Sequence, residues 1–179
     1  MNFKKSSLAI LVLIAVVTGC KKIDAPNQVV PVQLSPAVGE YILSEGSFGG
    51  NNTKLAYYAN TPSSLNGDFF LQQNPTLTAG LGELGNDAII YGGKMYVVMT
   101  GSGRVTVLNA ANAIFIKNIS FLSNNVNKQP RYAVGARGRV YVTAWDNTVS
   151  VIDTTSLTII KSINVGANPE GIADRKSVV

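Results

Sequence analysis

From about Tyr41 onward the chain alternates between apolar and polar positions. Val105 and Val107 flank Thr106, and Val149 and Val151 flank Ser150, the period-two mark of a strand with two distinct faces. The alternation itself recurs. Asn86 to Val98 lines up with Arg131 to Thr143, Arg104 to Asn109 with Thr148 to Asp153, and Ile116 to Ile119 with Ile160 to Ile163, at an offset of 45 and then 44 residues. A worn earlier copy starts at Tyr41 and runs through Leu55 to Tyr58, and a later one opens at Pro169-Glu170-Gly171-Ile172. Gly92-Gly93 and Arg137-Gly138 stand where a two-residue hairpin needs positive φ. Asn109 and Asp153, each followed by small or hydroxyl residues, suit turn starts. Capped stretches of helical period are not found after the first twenty residues.

Each unit therefore reads as four short strands, near Tyr41 to Leu71, Asn86 to Ile119 and Pro130 to Ile163. Four strands in a repeat of about 40 to 45 residues predict an all-β chain of β-propeller blades. A Greek-key sandwich also has short, evenly spaced strands, but it gives no reason for a whole four-strand unit to recur. Tyr96 and Tyr141 fall at matching strand centres and are expected in the core. The predicted propeller occupies residues 39–173 as about three blades and the start of a fourth. Asp174 to Val179 break the pattern where a hairpin is due, and 174–179 is read as a non-native tail left by truncation.

The first residues obey a different rule. Lys4 and Lys5 precede an apolar run from Leu8 to Val17, and Val17-Thr18-Gly19-Cys20 ends it. Ten apolar residues rise only about 15 Å as a helix, half of the roughly 30 Å hydrocarbon core, so the run is too short to span a bilayer. A basic head, a short apolar core and a small-residue cut site make a secretory signal peptide, 1–19. The cut site resembles a bacterial lipoprotein lipobox. That resemblance implies that Cys20 is lipidated, becomes the mature N-terminus and tethers the protein to a membrane. Residues 20–38, polar and Pro-containing, are expected to be the lipidated terminus and its flexible tether.

Charge narrows the function classes. The chain's formal charge is +5, but between Ile23 and Ala173 nine Lys/Arg balance nine Asp/Glu. A neutral body offers no basic patch for nucleic acid. The chain has no histidine, and Cys20 is its one cysteine. With Cys20 lipidated, disulfides, Cys/His zinc sites, Ser-His-Asp triads and thiol nucleophiles fall away. No cofactor, metal site or catalytic constellation is expected. Gly101-Ser102-Gly103 is a hairpin, since no Lys-Ser/Thr pair or helix comes after it to make a phosphate loop. Asp87 and Glu170 are the carboxylates that could face a central channel, and nothing in the sequence fixes their separation.

In a blade, the loop joining strands two and three shares a face with the blade-to-blade linkers. Here that face carries Phe48, Asn51 and Asn52 in the first unit, and Trp145 and Asp146 in the third. Asn86, Arg131 and Glu170 take matching positions at the starts of the innermost strands. Trp145 offers an apolar plate with a donor at its edge, suited to a sugar or planar ring. Arg131 offers a planar fork for a carboxylate or phosphate. The same two residues also suit blade packing and an ordinary loop cation.

Val140-Tyr141-Val142-Thr143-Ala144, Val149 to Asp153 and Val165 to Ala173 resemble YVTN-type surface-layer β-propeller repeats. Tyr41 to Gly49 resembles the first blade of lipid-anchored members of that group. The resemblance implies a propeller, usually of seven blades, and specifies little chemistry. The anchor, the neutral body, the missing His and accessible Cys, and polar loops with an aromatic point to a cell-envelope binding module for a small molecule or glycan. Lys21 and Lys22 after the cysteine favour the outer membrane, and similar lipoproteins imply handover to an outer-membrane transporter. Some similar lipoproteins capture corrinoids. A carboxylate- or Tyr/Arg-based propeller lyase or hydrolase, and a structural or adhesive envelope protein, are the alternatives.

Overall fold

The structure, a computed structural model, describes residues 38–175. Cys20, the signal segment, all of the tether but Val38, and residues 176–179 of the tail lie outside the described residues.

The chain folds sheet by sheet. The first sheet holds β1 (Gly39–Ser44), β2 (Lys54–Asn60) and β3 (Ser63–Asn66), and a short helix α1 (Phe69–Gln73) comes after it. The second holds β4 (Gly85–Tyr91), β5 (Lys94–Met99), β6 (Arg104–Asn109) and β7 (Phe115–Ser120). A small hairpin, β8 (Leu122–Ser123) and β9 (Val126–Asn127), leads to the third: β10 (Pro130–Ala136), β11 (Arg139–Ala144), β12 (Thr148–Asp153) and β13 (Thr158–Asn164). In every sheet the strands pair antiparallel in sequence order. The architecture is all-β and of propeller type.

Local chemistry explains the turns. Gly92 and Gly93 sit at φ 58° and 73°, and Arg137 and Gly138 at 50° and 72°, the left-handed pair a two-residue hairpin requires. Asn109 accepts from the Ala111 N–H, and Asp153 accepts from the Thr155 and Ser156 N–H groups, so both side chains build the turns after β6 and β12. These bonds, led by the Ser156 N–H, hold the Asp153 carboxyl below its ordinary range.

Packing reflects strand periodicity. Met95, Val97 and Met99 of β5 join Leu55, Phe70 and Leu108 in one core. Tyr96 and Val98 point the other way and join Val140, Val142 and Ala144 in a second core. A strand buried on both faces needs apolar residues at every position, and β5 has them. Tyr96 is fully buried, whereas Tyr141 at the matching place is half-buried beside Ile172.

A repeated threonine fastens each unit to the strand or linker of its successor. Thr53 Oγ1 accepts from Gly85 N–H, Thr100 Oγ1 donates to the Pro130 carbonyl, and Thr143 Oγ1 donates to the Glu170 carbonyl. All three are buried, so each bond satisfies a group that water cannot reach.

The first unit departs from the expected four strands without helix. Asn66 accepts from Asp68 N–H, and Asp68 in turn accepts from Leu71 N–H as an N-cap. The apolar run Phe69-Phe70-Leu71 then turns once as α1. This drives Phe70 to 2% exposure in the core and sets Phe69 against Tyr41 and Tyr57. Asn74 ends the helix, donating to the Phe70 and Ala113 carbonyls and accepting from Phe115 N–H. The connection between the second and third sheets is not a bare linker, since it contains the β8–β9 hairpin.

Candidate functional site

The site grows from irregularities at the starts of two inner strands. The β4–β5 register shifts between Gly85 and Asp87, and the β10–β11 register between Pro130 and Ala133. A bulge re-aims the extra side chain. Asn86 in the first bulge donates from Nδ2 to the Arg131 carbonyl in the second at 2.6 Å. Asp87 accepts from Ala133 N–H at 2.8 Å and from Ala88 N–H at 2.9 Å. These bonds bind one inner strand to the next.

Arg131 leaves its bulge toward Trp145, which lies just past β11. The guanidinium carbon lies 4.5 Å from the indole centroid, within cation–π range, and 5.9 Å from the Tyr132 ring. Glu170 closes the arrangement. Its Oε2 accepts from Arg131 Nε at 3.0 Å and its Oε1 from Trp145 Nε1 at 2.8 Å. Those bonds, the Arg131 one foremost, hold the Glu170 carboxyl below the ordinary glutamate range. The result is a charge-balanced constellation at the surface. Arg131 stacks over the indole, yet Trp145 keeps 40% exposure. The Arg131 side chain is 18% exposed, and its two Nη groups have no protein partner among the described residues.

The other sequence candidates stand apart. Phe48 is 89% exposed at a loop tip. Asn52 ties its own loop, accepting from Ser47 N–H, and Asn51 at φ 45° donates to the Ala79 carbonyl. That loop is fastened to the next linker through Gly49 N–H and Glu83. Asp146 turns away from Trp145 to pair with Lys128 at 3.0 Å and accept from Thr148. The structure thus brings Asn86, Arg131, Trp145 and Glu170 together, holds Asn51, Asn52 and Asp146 in loop-building bonds, and leaves Phe48 exposed apart from them. Tyr132 and Thr143 were not singled out in the sequence. Only the bulge, which has no mark in a single chain, places them here. Among the described residues no group of three or more carboxylates, histidines or cysteines is placed to hold a metal ion.

A cleft of about 830 Å³ opens beside this constellation, between β1 and β4. Tyr41, Tyr57, Ile90 and Met95 line it with Glu40 and Asn86. Asn86 touches both places, while Arg131, Trp145 and Glu170 do not line the cleft.

The family described as Domain of unknown function (DUF5074) matches residues 38–179. The chain belongs to the DUF5074 family. A search of curated proteins finds no match. Among solved structures, the DUF5074 domain resembles a chain of a nidogen/laminin complex at 18% identity and TM-score 0.51, covering 71% of this chain and 43% of that one. Hydrazine synthase of Kuenenia stuttgartiensis matches at 18% identity and TM-score 0.49, over 63% of this chain and 30% of the other. AztD of Citrobacter koseri matches at 15% and 0.45, over 73% and 33%. The DUF5074 chain spans less than half the length of each of these structures. At such identities the nidogen/laminin likeness shows the fold alone.

Proposed function

We propose that this DUF5074 chain is the ligand-capture module of a cell-envelope lipoprotein. Cys20 carries the lipid anchor, the tether spans from the membrane, and the propeller presents the Arg131–Trp145–Glu170 face to a small molecule or glycan. The captured ligand passes to an outer-membrane transporter, as the YVTN-type resemblance implies. The observation that carries this reading is the pre-assembled surface constellation. An exposed aromatic plate sits beside an ion pair whose arginine keeps unspent Nη donors. Aromatic and arginine anchors of this kind dominate binding energy at recognition sites. Pre-organisation by Glu170 lowers the entropy lost when a ligand docks.

The enzyme alternative needs a carboxylate free to exchange a proton with substrate. Asp87 spends both oxygens on backbone N–H groups, and Glu170 spends both on Arg131 and Trp145. Recognition fits this geometry better than proton transfer does.

The test is calorimetric titration of the intact lipoprotein with oligosaccharides and with a corrinoid. Trp145→Ala and Arg131→Ala should each weaken binding about thirtyfold, corresponding to about 2 kcal/mol. Equal affinity in both variants would remove the site from this face. Cys20→Ser should abolish labelled-palmitate incorporation, and undiminished labelling would remove the anchor.

A further inference from the structure

A second site lies under the linker that joins α1 to β4, and it centres on Arg104. This arginine opens β6, and its Nη2 donates to the Leu81 carbonyl at 2.5 Å. Its Nε is buried and has no hydrogen-bond partner among the described residues. It has no ion pair either: the three among the described residues are Lys54–Asp68, Lys128–Asp146 and Arg131–Glu170. Burial pulls the guanidinium below its ordinary range. A partly buried charge without a counter-charge is an unfavourable arrangement that a bound ion of opposite sign relieves.

The space for such an ion is present. A pocket of about 280 Å³ is lined by Arg104, Thr106 and Asn118 on its polar side. Thr106 Oγ1 donates to Asn118 Oδ1 at 2.9 Å, which fixes the amide and leaves its Nδ2 with no protein partner among the described residues. Thr76 and Thr78 add hydroxyls from the linker, and no carboxylate lines the pocket. The remaining wall is apolar, made by Phe70, Leu77, Leu81 and Phe115. The repeat gives an internal comparison. Thr148, Ser150 and Ser162 stand in the third unit where Arg104, Thr106 and Asn118 stand in the second. The strand itself therefore requires no cation at this position.

We infer that this pocket binds a small organic monocarboxylate with a compact apolar body, of the size of an aromatic ring acid. Its carboxylate meets the Arg104 guanidinium and Asn118 Nδ2, and its ring packs on Phe70, Leu77, Leu81 and Phe115. An apolar cavity of about 150 Å³ is enough to hold benzene, so this pocket holds a ring and its carboxylate. One guanidinium balances one negative charge. A phosphate dianion would leave a second charge against the phenylalanine and leucine walls. The pocket shares no residue with the Arg131–Trp145–Glu170 face.

The experiment is calorimetry and thermal melting of the intact chain with sodium benzoate, benzyl alcohol and inorganic phosphate as probes. Benzoate should bind saturably and raise the melting temperature. Benzyl alcohol and phosphate should each bind about tenfold more weakly or worse. Arg104→Gln should abolish benzoate binding. Asn118→Asp keeps the acceptor for Thr106 and supplies a carboxylate diagonal to Arg104 across the β6–β7 ladder. It should raise the melting temperature of the ligand-free chain and also abolish benzoate binding. Absence of benzoate binding to the wild-type chain overturns the inference. So does equal binding of benzyl alcohol, tighter binding of phosphate, or an Asn118→Asp chain that still takes benzoate as the wild type does.

Discussion

Replacing Gly135 by alanine tests how closely the second and third sheets approach. Gly135 lies in β10 with an ordinary extended backbone, so alanine is acceptable on conformational grounds. Space is the difficulty. A Cβ there would stand 2.4 Å from Tyr91 Cγ and Cδ2 and 2.8 Å from Tyr91 Cβ. Carbon atoms are comfortable at about 3.5 to 4.0 Å, so roughly 1 Å must be found. Tyr91 cannot yield easily. Its ring packs on the core with Tyr96 and Val140, and its hydroxyl accepts from Gly138 N–H at 2.8 Å. Overpacking costs about 1 to 3 kcal/mol, and loss of that hydrogen bond about 1 kcal/mol more. Gly135→Ala should therefore destabilise by about 3 kcal/mol. With a urea m-value near 2 kcal/mol/M, the unfolding midpoint falls by about 1.5 M. The decisive measurement is the same substitution in a Tyr91→Ala background. With the ring gone the new methyl has room, and the smaller unfolded-state entropy of alanine should make it neutral or stabilising by about 0.5 kcal/mol. The cycle should return a coupling of about 3 kcal/mol. An equal loss in both backgrounds would refute the close-approach argument.

Acid should open the Arg131–Trp145–Glu170 constellation. The folded Glu170 pKa lies below its unfolded value of about 4.3, so its contribution is complete above that value and is lost as pH falls through the folded one. Trp145 is the chain's one tryptophan, so its fluorescence should report the change at a pH below the ordinary glutamate range, and Glu170→Gln should erase the transition. Asn74→Ala leaves the buried Ala113 carbonyl and Phe115 N–H without their partner and should cost about 3 kcal/mol in urea unfolding. Phe70→Ala should cost about 3 to 4 kcal/mol and melt α1 out of the core, and a loss under 1 kcal/mol would deny the helix its packing role.

The repeats made the second and third sheets legible because alternation and turn chemistry are local properties. Val105-Thr106-Val107 and Gly92-Gly93 carry their geometry in neighbouring residues. The first sheet was less legible because Ser63 to Asn66 is polar and short, and because Phe69-Phe70-Leu71 suits a strand as well as one helical turn. Only the cap at Asp68 and the core space for Phe70 decide between them. At the site, matching positions in the repeat drew attention to Asn86, Arg131 and Glu170, but their meeting depends on two bulges. The fate of Asp146 depends on Lys128, which lies on another loop. Arg104 was hidden for a related reason: its sequence neighbours form an ordinary amphipathic strand, and its missing partner is visible only in three dimensions.

The two faces of β5 have a further consequence for how these units can be exchanged. Met95, Val97 and Met99 face the first sheet, and the residues at the matching places in β11, facing the second, are Val140, Val142 and Ala144. The longer side chains stand on the side where the cleft opens, and the shorter ones stand where Gly135 lets Tyr91 sit against the backbone. Side-chain length at equivalent positions thus works as a spacer, set wide on one side of the second sheet and narrow on the other. A grafted unit would carry its own spacing with it. Moving the second unit into the third position would take the methionine wall along, and the gap with it.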